Sequence, residues 1–290
     1  MKTIDLHVHS NISDGSLTPA QVTELAYNAG LSAYALTDHD CTDGYKEALM
    51  AAEKLSNSSS GRPFEVIPAV EISAGYNDRD IHILGFYIDP DNEELNSALA
   101  LTRERRFKRN ITMIKRFNDS GIDISYDELT FGNPNTIITR GHFSRLLIEK
   151  GYAKNREESF SRYLNPDTKF FVPREYIDIK ETVRLIRQAG GIPFLAHPLL
   201  YKLTPEQVEK LVSDFKANDG AGLEAIYSSN SPEEEIFVKS LADKYDLMIC
   251  GGTDFHGASK PDLEIGVGKG NMTIPYEILE QIKKYKGETQ

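Results

Sequence analysis

Cysteine is scarce in this chain: Cys41 and Cys250 are the only two in 290 residues, and they form no CxxC spacing. A disulfide framework is therefore not expected, and a reducing cytoplasm fits. Basic charge is also in deficit. The 33 Lys and Arg face 44 Asp and Glu, a formal net charge of −11. That argues against broad electrostatic binding to nucleic acid or an anionic membrane, but leaves room for a small anion held by a local cluster of metals and arginines. No apolar run approaches the ~18 residues of a membrane span, and the opening Met-Lys-Thr-Ile-Asp-Leu-His has no apolar h-region, so neither a span nor a signal peptide is expected. Internal repeats and low-complexity segments are lacking too. The length suffices for one sizeable core, alone or with an inserted subdomain.

What the chain does have is histidine in a pattern. In Thr3-Ile4-Asp5-Leu6-His7-Val8-His9-Ser10 the apolar residues alternate with Asp5, His7 and His9, the period of a strand. His7 and His9 then share a face, with Cα atoms roughly 6.5–7 Å apart, close enough for two imidazoles to converge on one ion. Asp14 follows in the next loop. Beyond it the chain alternates. Thr18-Pro19 opens a helix, 31–36 is a short apolar strand ending in Thr37-Asp38-His39-Asp40, and a helix over 44–55 precedes a polar loop at 56–62. A strand over 65–72 carries Glu71. This alternation predicts a parallel α/β sheet or barrel.

A further strand over 80–88 carries His82. From 92 to about 175 the pattern changes to helix and loop, read as an inserted, mostly helical subdomain. It holds a basic run, Arg103 to Arg109, expected to be a solvated helix face, and Thr139-Arg140-Gly141-His142 before an apolar helix. The barrel proper is thus 1–91 with 176–290. Strands then recur at Ile192-Pro193-Phe194-Leu195-Ala196-His197, at Gly222-Leu223-Glu224-Ala225-Ile226 and at 247–252, the last running into Thr253-Asp254-Phe255-His256.

Of the seven histidines, five (7, 9, 39, 197 and 256) fall at or just past the C-terminal end of a predicted strand, with Asp14, Asp38, Asp40, Glu71 and Asp254 beside them. In a barrel of parallel strands those ends meet at one face. Each position alone has a plainer reading: His197 as a capped residue before proline, Asp38 and Asp40 as helix N-caps for the segment at 43–55. Together they indicate a polynuclear centre ringed by His, Asp and Glu. Imidazole and carboxylate without thiolate suit Zn²⁺, Mn²⁺ or Fe²⁺ and disfavour Mg²⁺ alone. Cys250, inside a strand, reads as a small buried hydrophobe.

The segments Asp-Leu-His-Val-His-Ser…Ser-Asp-Gly, Leu-Thr-Asp-His-Asp, Glu71, Leu-Ala-His-Pro and Gly-Thr-Asp-Phe-His-Gly, in this order over nearly the whole chain, resemble the polymerase and histidinol phosphatase (PHP) family. The resemblance implies a distorted seven-stranded β/α barrel with two or three divalent ions. It puts His7, His9, Glu71 and Asp254 on one ion, Glu71 bridging to a second held by His82 and His197, and Asp14, His39 and His256 on a third. The helical insert is similar to that of the family's small nucleotide phosphoesterases. These act on nucleoside phosphates, including 3′,5′-bisphosphates, and some degrade short RNA from its 5′ end. Gly141 stands where that group commonly has proline, and Asn230 where many members have histidine.

The implied activity is hydrolysis of a nucleotide phosphate monoester by metal-activated hydroxide, with Glu71 at the catalytic centre. Arg140 would bind the phosphate, and His142 would bind it or serve as general acid. Their plainer reading is a helix N-terminus with an exposed arginine. The rival activities are a histidinol-phosphate phosphatase with the same ions and, from another class, an inactive PHP module used for protein contacts. A polymerase proofreading role lacks a polymerase domain. The expected partners are a nucleotide or other phosphomonoester substrate, with short RNA a further candidate, no membrane and no evident protein partner.

Overall fold

A computed structural model describes residues 2–59, 61–77 and 79–289. The polar loop expected over 56–62 includes position 60, which lies outside the described residues. Strand β1 (Ile4–Val8) leads through α1 (Pro19–Asn28), β2 (Ala33–Leu36) and α2 (Tyr45–Ser56) to the hairpin β3 (Glu65–Tyr76) and β4 (Arg79–Phe86). A helical stretch follows: α3 (Glu93–Asp119), α4 (Tyr126–Leu129), α5 (Arg140–Glu149) and α6 (Arg156–Ser159), continued by a π-helical turn, Phe160–Leu164. The chain returns through β5 (Ile177–Asp178), α7 (Ile179–Gln188), β6 (Ile192–Leu195), α8 (Pro205–Ala217), β7 (Gly222–Tyr227), α9 (Pro232–Lys244), β8 (Met248–Gly252) and α10 (Tyr276–Thr289). Three of the helices start as their sequences dictate. Thr18, Thr204 and Ser231 each form a capping box with the residue three places on, and a proline occupies the first turn.

The strands run in the order β1-β2-β3-β4-β6-β7-β8, with β5 attached to β3 outside that path. The ring is completed where β1 meets the chain after β8. Val8 bridges Phe255 in parallel, the Asp254 N–H donates to His7 O at 2.9 Å, and the His9 N–H donates to Phe255 O at 2.9 Å. Buried Asp5 ties this seam by accepting from Thr253 N (3.0 Å), Thr253 Oγ1 (2.6 Å) and Gly266 N (2.9 Å). The result is the expected α/β architecture, a nearly closed barrel-like sheet of seven strands.

One expectation is amended: the barrel is not uniformly parallel. β4 runs antiparallel to both β3 and β6. Two residues connect β3 to β4, too few for anything but an antiparallel return, whereas the parallel neighbours are joined by helices. This also accounts for His82, which sat awkwardly inside a predicted strand. In a reversed strand the N-terminal half, not the C-terminal end, reaches the rim where the other strands finish.

One apolar cluster draws on all seven strands, with Ile4, Ala33, Ile67, Leu84, Phe194, Ile226 and Cys250 among its members, and so is the barrel interior. Ile278, Leu279 and Ile282 of α10 join it and plug one end. The opposite end is left to polar side chains. A second cluster lies between the strands and α7, α8 and α9, and takes in Leu95 and Leu99 from the start of α3. The far half of α3 belongs elsewhere. Met113 and Phe117 pack with Leu129, Phe143, Leu147, Tyr163 and Phe170 in a separate helical core. Cys41 and Cys250 are free and buried, so neither forms a disulfide. Among the described residues no helix is long and apolar enough to cross a membrane.

Candidate metal centre

Glu71 lies at the middle of the open end. It follows Ile67 and Ala69 on the inner face of β3, at the point where alternation carries the interior out to the rim. Five imidazoles surround its carboxylate. Oε2 is 3.4 Å from His7 Nε2, 3.3 Å from His9 Nε2 and 2.9 Å from His39 Nδ1. Oε1 is 2.8 Å from His82 Nδ1 and 2.9 Å from His197 Nε2. The two oxygens thus face two different groups, the disposition of a bridging carboxylate.

The first group has the dimensions of an ion site. His7 Nε2 and His9 Nε2 are 3.1 Å apart, and Asp254 Oδ1 is 3.7 and 3.4 Å from them. Ligand atoms about 2.0–2.1 Å from a tetrahedral ion are separated from one another by about 3.3 Å. The separations among these atoms and Glu71 Oε2 bracket that value. The second oxygen of Asp254 is taken up differently: it accepts from Tyr227 Oη at 2.6 Å and pairs with Lys260 Nζ, which aims Oδ1 at the histidines.

A second group gathers at Asp14. Its Oδ1 is 3.0 Å from His256 Nε2, 3.7 Å from His39 Nε2 and 3.9 Å from His9 Nδ1, while Oδ2 accepts from Thr139 Oγ1 at 2.6 Å. His256 Nδ1 faces Asp254 O at 2.7 Å, so its N–H donates there and Nε2 keeps its lone pair for the site. Metal-competent sets within 4.8 Å include His9-Asp14-His39-His256, His7-His9-Glu71 and His39-Glu71-His82. His39 touches both Asp14 and Glu71, and His9 faces both groups, so the two groups of donors share histidines.

These donors fit divalent ions. Asp14 Oδ1 and Glu71 Oε2 are buried carboxylate oxygens without a hydrogen-bond donor, each facing imidazole nitrogens. An unsatisfied buried carboxylate oxygen is costly unless something cationic meets it. Burial would raise the pKa of Asp14, Glu71 and Asp254, but the imidazoles and the lysine around them hold all three well below the usual carboxylate range. The main contributors are His256 and His39 for Asp14, His39 and His82 for Glu71, and Lys260 and His256 for Asp254.

Glu224 was not among the residues singled out from the sequence. It is fully buried on β7, 2.9 Å from His7 Nδ1, and its other oxygen accepts the His197 N–H at 2.8 Å. A carboxylate behind a histidine fixes the tautomer and sharpens the donor in front. The signal was present: an acid inside the otherwise apolar run Gly222-Leu223-Glu224-Ala225-Ile226 must have a buried partner.

The strand ends are strained where they deliver these side chains. Asp40, His197 and Asp254 have φ of 51°, 25° and 56°, rare for residues with a Cβ. Asp38 and Asp40 are not the helix caps considered from the sequence. Gly44 occupies the α2 N-cap without a side-chain bond. Asp38 anchors the 10–15 loop by accepting from Ser10 N, Ser10 Oγ and Ser13 Oγ at 2.8, 2.6 and 2.6 Å. Asp40 accepts from Ser73 N at 2.8 Å and pairs with Arg106.

Arg140 and His142 open α5 beside this centre. His142 Nδ1 accepts the Thr139 N–H at 3.1 Å as part of a capping box, leaving the proton on Nε2, and burial pushes its pKa down to about 4. Arg140 Nη2 is 3.1 Å from Asp80 Oδ2, and Asp80 Oδ1 is 3.7 Å from His82 Nε2. Asn230 spends its amide on Ala225 O at 3.0 Å in the turn after β7. The basic run is only in part the solvated face expected: Lys108 is exposed and pairs with Glu104, whereas Arg106 and Arg109 are 6% and 5% exposed.

Gly252 is the closest backbone approach at the centre. A Cβ built on it would lie 2.1 Å from His7 Cβ and 2.6 Å from His7 N. Gly252→Ala must therefore push His7 away, an overpacking cost of about 1–3 kcal/mol. The expected outcome is a lower Tm together with reduced metal content per chain. An unchanged metal content would show that the His7 position tolerates the shift.

Comparison with known proteins agrees with this geometry. The PHP domain pattern matches residues 5–181. A 5′-3′ exoribonuclease of Haemophilus influenzae is 35% identical over 258 residues, covering 88% of this chain and 90% of that one. A 3′,5′-nucleoside bisphosphate phosphatase of Chromobacterium violaceum is 34% identical over 267 residues, covering 92% and 91%. A solved structure described as a metal-dependent phosphoesterase of Bifidobacterium adolescentis superposes with a TM-score of 0.83 at 29% identity, over 97% of this chain and 95% of that one. The chain belongs to the PHP domain family.

Proposed function

We propose that this enzyme, a phosphoric ester hydrolase by its family and relatives, removes a phosphate monoester from a nucleotide. The substrate type is AMP, a nucleoside 3′,5′-bisphosphate or the 5′ end of a short RNA. The observation that carries the reading is the pair of donor-free buried oxygens, Asp14 Oδ1 and Glu71 Oε2, each ringed by imidazole nitrogens at one end of the barrel. His7, His9, Asp14, His39, Glu71, His82, His197, Asp254 and His256 would hold two or three divalent ions, with Mn²⁺, Zn²⁺ and Fe²⁺ all compatible with these donors. When bound, such ions acidify water and offset charge on phosphoryl oxygens. A catalytically empty PHP module would have lost donors, and none of the nine is lost here.

The chain's own groups supply position and protons. Glu71 holds both halves of the centre in register through its two oxygens. Glu224 keeps the His7 proton on Nδ1, and Asp254 O does the same for His256. His142 is neutral near pH 7, given its lowered pKa, and donates a hydrogen bond from Nε2–H to a phosphoryl oxygen, keeping its proton, while Nδ1 stays on the helix cap. Arg140, its side chain 23% exposed, presents a planar fork next to Asp80 and His82. The helical segment 92–175 would act as the cap that receives the rest of the nucleotide.

Arg140→Ala is expected to raise KM about tenfold, the loss of a charge-assisted bond, with a smaller fall in kcat, because a phosphate fork acts in ground and transition states alike. An unchanged KM removes Arg140 from the site. The function itself is tested by phosphate release from AMP, adenosine 3′,5′-bisphosphate and histidinol phosphate. Higher kcat/KM on the nucleotides is the expected result, and preference for histidinol phosphate would overturn it.

A further inference from the structure

Asp80 stands between two parts of the centre described so far as separate. It precedes His82 by two residues near the start of β4, so the two side chains leave the same face of the strand, while Ile81 and Ile83 are buried on the other. The Asp80 side chain is only 15% exposed. Its Oδ2 accepts from Arg140 Nη2 at 3.1 Å, and its Oδ1 faces His82 Nε2 at 3.7 Å and Arg174 Nη2 at 3.8 Å. Oδ1 is buried with no hydrogen-bond donor. A buried carboxylate oxygen in that state is costly, so a neighbour must supply a proton when the site is complete.

His82 is placed to supply it. Its Nδ1 is 2.8 Å from Glu71 Oε1, so Nδ1 is the nitrogen turned towards the ion position and Nε2 the one turned towards Asp80. An imidazole that gives one lone pair to an ion carries its proton on the other nitrogen, and a carboxylate there orients the ring and raises its basicity. Asp80 is to His82 what Glu224 is to His7, with one difference. The second oxygen of Glu224 accepts the His197 backbone N–H, part of the scaffold. The second oxygen of Asp80 is held by Arg140, a side chain 23% exposed and read above as the phosphate fork.

We propose that Asp80 is a positioning residue that couples the ion position at His82 to phosphate binding by Arg140. The guanidinium, while it donates to Oδ2, offsets the carboxylate charge and weakens its hold on the His82 Nε2 proton. An anion that engages the fork of Arg140 leaves the Asp80 charge to His82, and the ring becomes a better donor to a cation. Reciprocity then makes an ion at His82 favour anion binding at Arg140, so the two bind more tightly together than apart. The inference rests on the readings of His82 as a ligand and of Arg140 as the phosphate contact. Direct attraction between an anion and the ions exists whether or not Asp80 takes part, so Asp80 must be varied to reveal its share.

Calorimetric titration of chelated protein with Mn²⁺, without substrate, reads the ion affinities, and His82→Ala identifies the binding step that belongs to His82. Asp80→Asn is expected to weaken that step about tenfold to a hundredfold, the usual consequence of losing a carboxylate behind a ligating histidine. Arg140→Ala is expected to tighten the same step about fivefold, because Asp80 is then left to His82 alone. Mere removal of a nearby positive charge would tighten it in any background. The coupling instead predicts that Arg140→Ala loses its effect in the Asp80→Asn protein. Saturating sulfate, an anion that leaves Mn²⁺ in solution, should likewise tighten the step more in wild type than in Asp80→Asn. Should Asp80→Asn lack a cooperative thermal transition, Asp80→Ser takes its place. An unchanged Mn²⁺ affinity in Asp80→Asn, an equal effect of Arg140→Ala in both backgrounds, or equal tightening by sulfate overturns the coupling. So does the absence of any step lost in His82→Ala. None of these readings needs turnover. A wild type that releases no phosphate from nucleotides therefore refutes the proposed function, and the titrations still decide the coupling.

Discussion

His9→Ala is expected to reduce phosphate release by about a thousandfold or more, the range seen when charge stabilisation at a reacting centre is removed. This imidazole faces both groups. Its Nε2 is 3.1 Å from His7 Nε2 and 3.3 Å from Glu71 Oε2, while Nδ1 faces Asp14 Oδ1 at 3.9 Å. Deleting one ring therefore weakens both ion positions. Asp254→Ala should do the same from the other side, by removing the Oδ1 that faces His7 and His9. The fold should survive both changes. The barrel is held by an apolar interior drawn from seven strands and by the Asp5 seam, to which His9 and Asp254 contribute only backbone hydrogen bonds that alanine retains. Circular dichroism with a cooperative thermal transition checks this. Loss of that transition in the metal-loaded variants would show the centre to be part of the scaffold.

The second large effect is expected from Glu71→Gln, which changes one oxygen to an amide at nearly constant volume. Five histidines converge on that carboxylate, and its two oxygens address separate groups. Losing its charge should lower both the number of ions retained and kcat, the latter by about a hundredfold to a thousandfold. Metal content and kcat measured on one preparation separate the roles. A variant that keeps all its ions and its rate would show that Glu71 does not bridge.

The centre was legible in the sequence because chemistry forces histidines and acids to the rim, and the rim is where predicted apolar strands stop. What was less legible depended on contacts between distant segments. The reversal of β4 follows from a connection only two residues long, which no hydrophobic pattern marks. The three-way grouping of ligands, taken from family resemblance, keeps Asp14 with His39 and His256, but His39 and His9 each face a second group. Glu224 was passed over because it was read as part of a strand rather than questioned as an acid in an apolar run. The arginines were misjudged by their composition. Leu95, Leu99, Thr102, Arg106, Arg109, Met113 and Phe117 recur at spacings of three and four on the buried side of α3. Two arginines therefore occupy positions of the apolar stripe. Periodicity, had it been weighed above charge, would have buried them.

The most direct test of the central claim is metal analysis combined with product analysis on adenosine 3′,5′-bisphosphate and a 5′-phosphorylated trinucleotide. Two or three divalent ions per chain are expected, with release of phosphate or a nucleotide that stops on chelation and returns when the ions are restored. Fewer than one ion per chain, with no hydrolysis after Mn²⁺ addition, would contradict the assignment of this rim as a metal-dependent phosphoesterase centre.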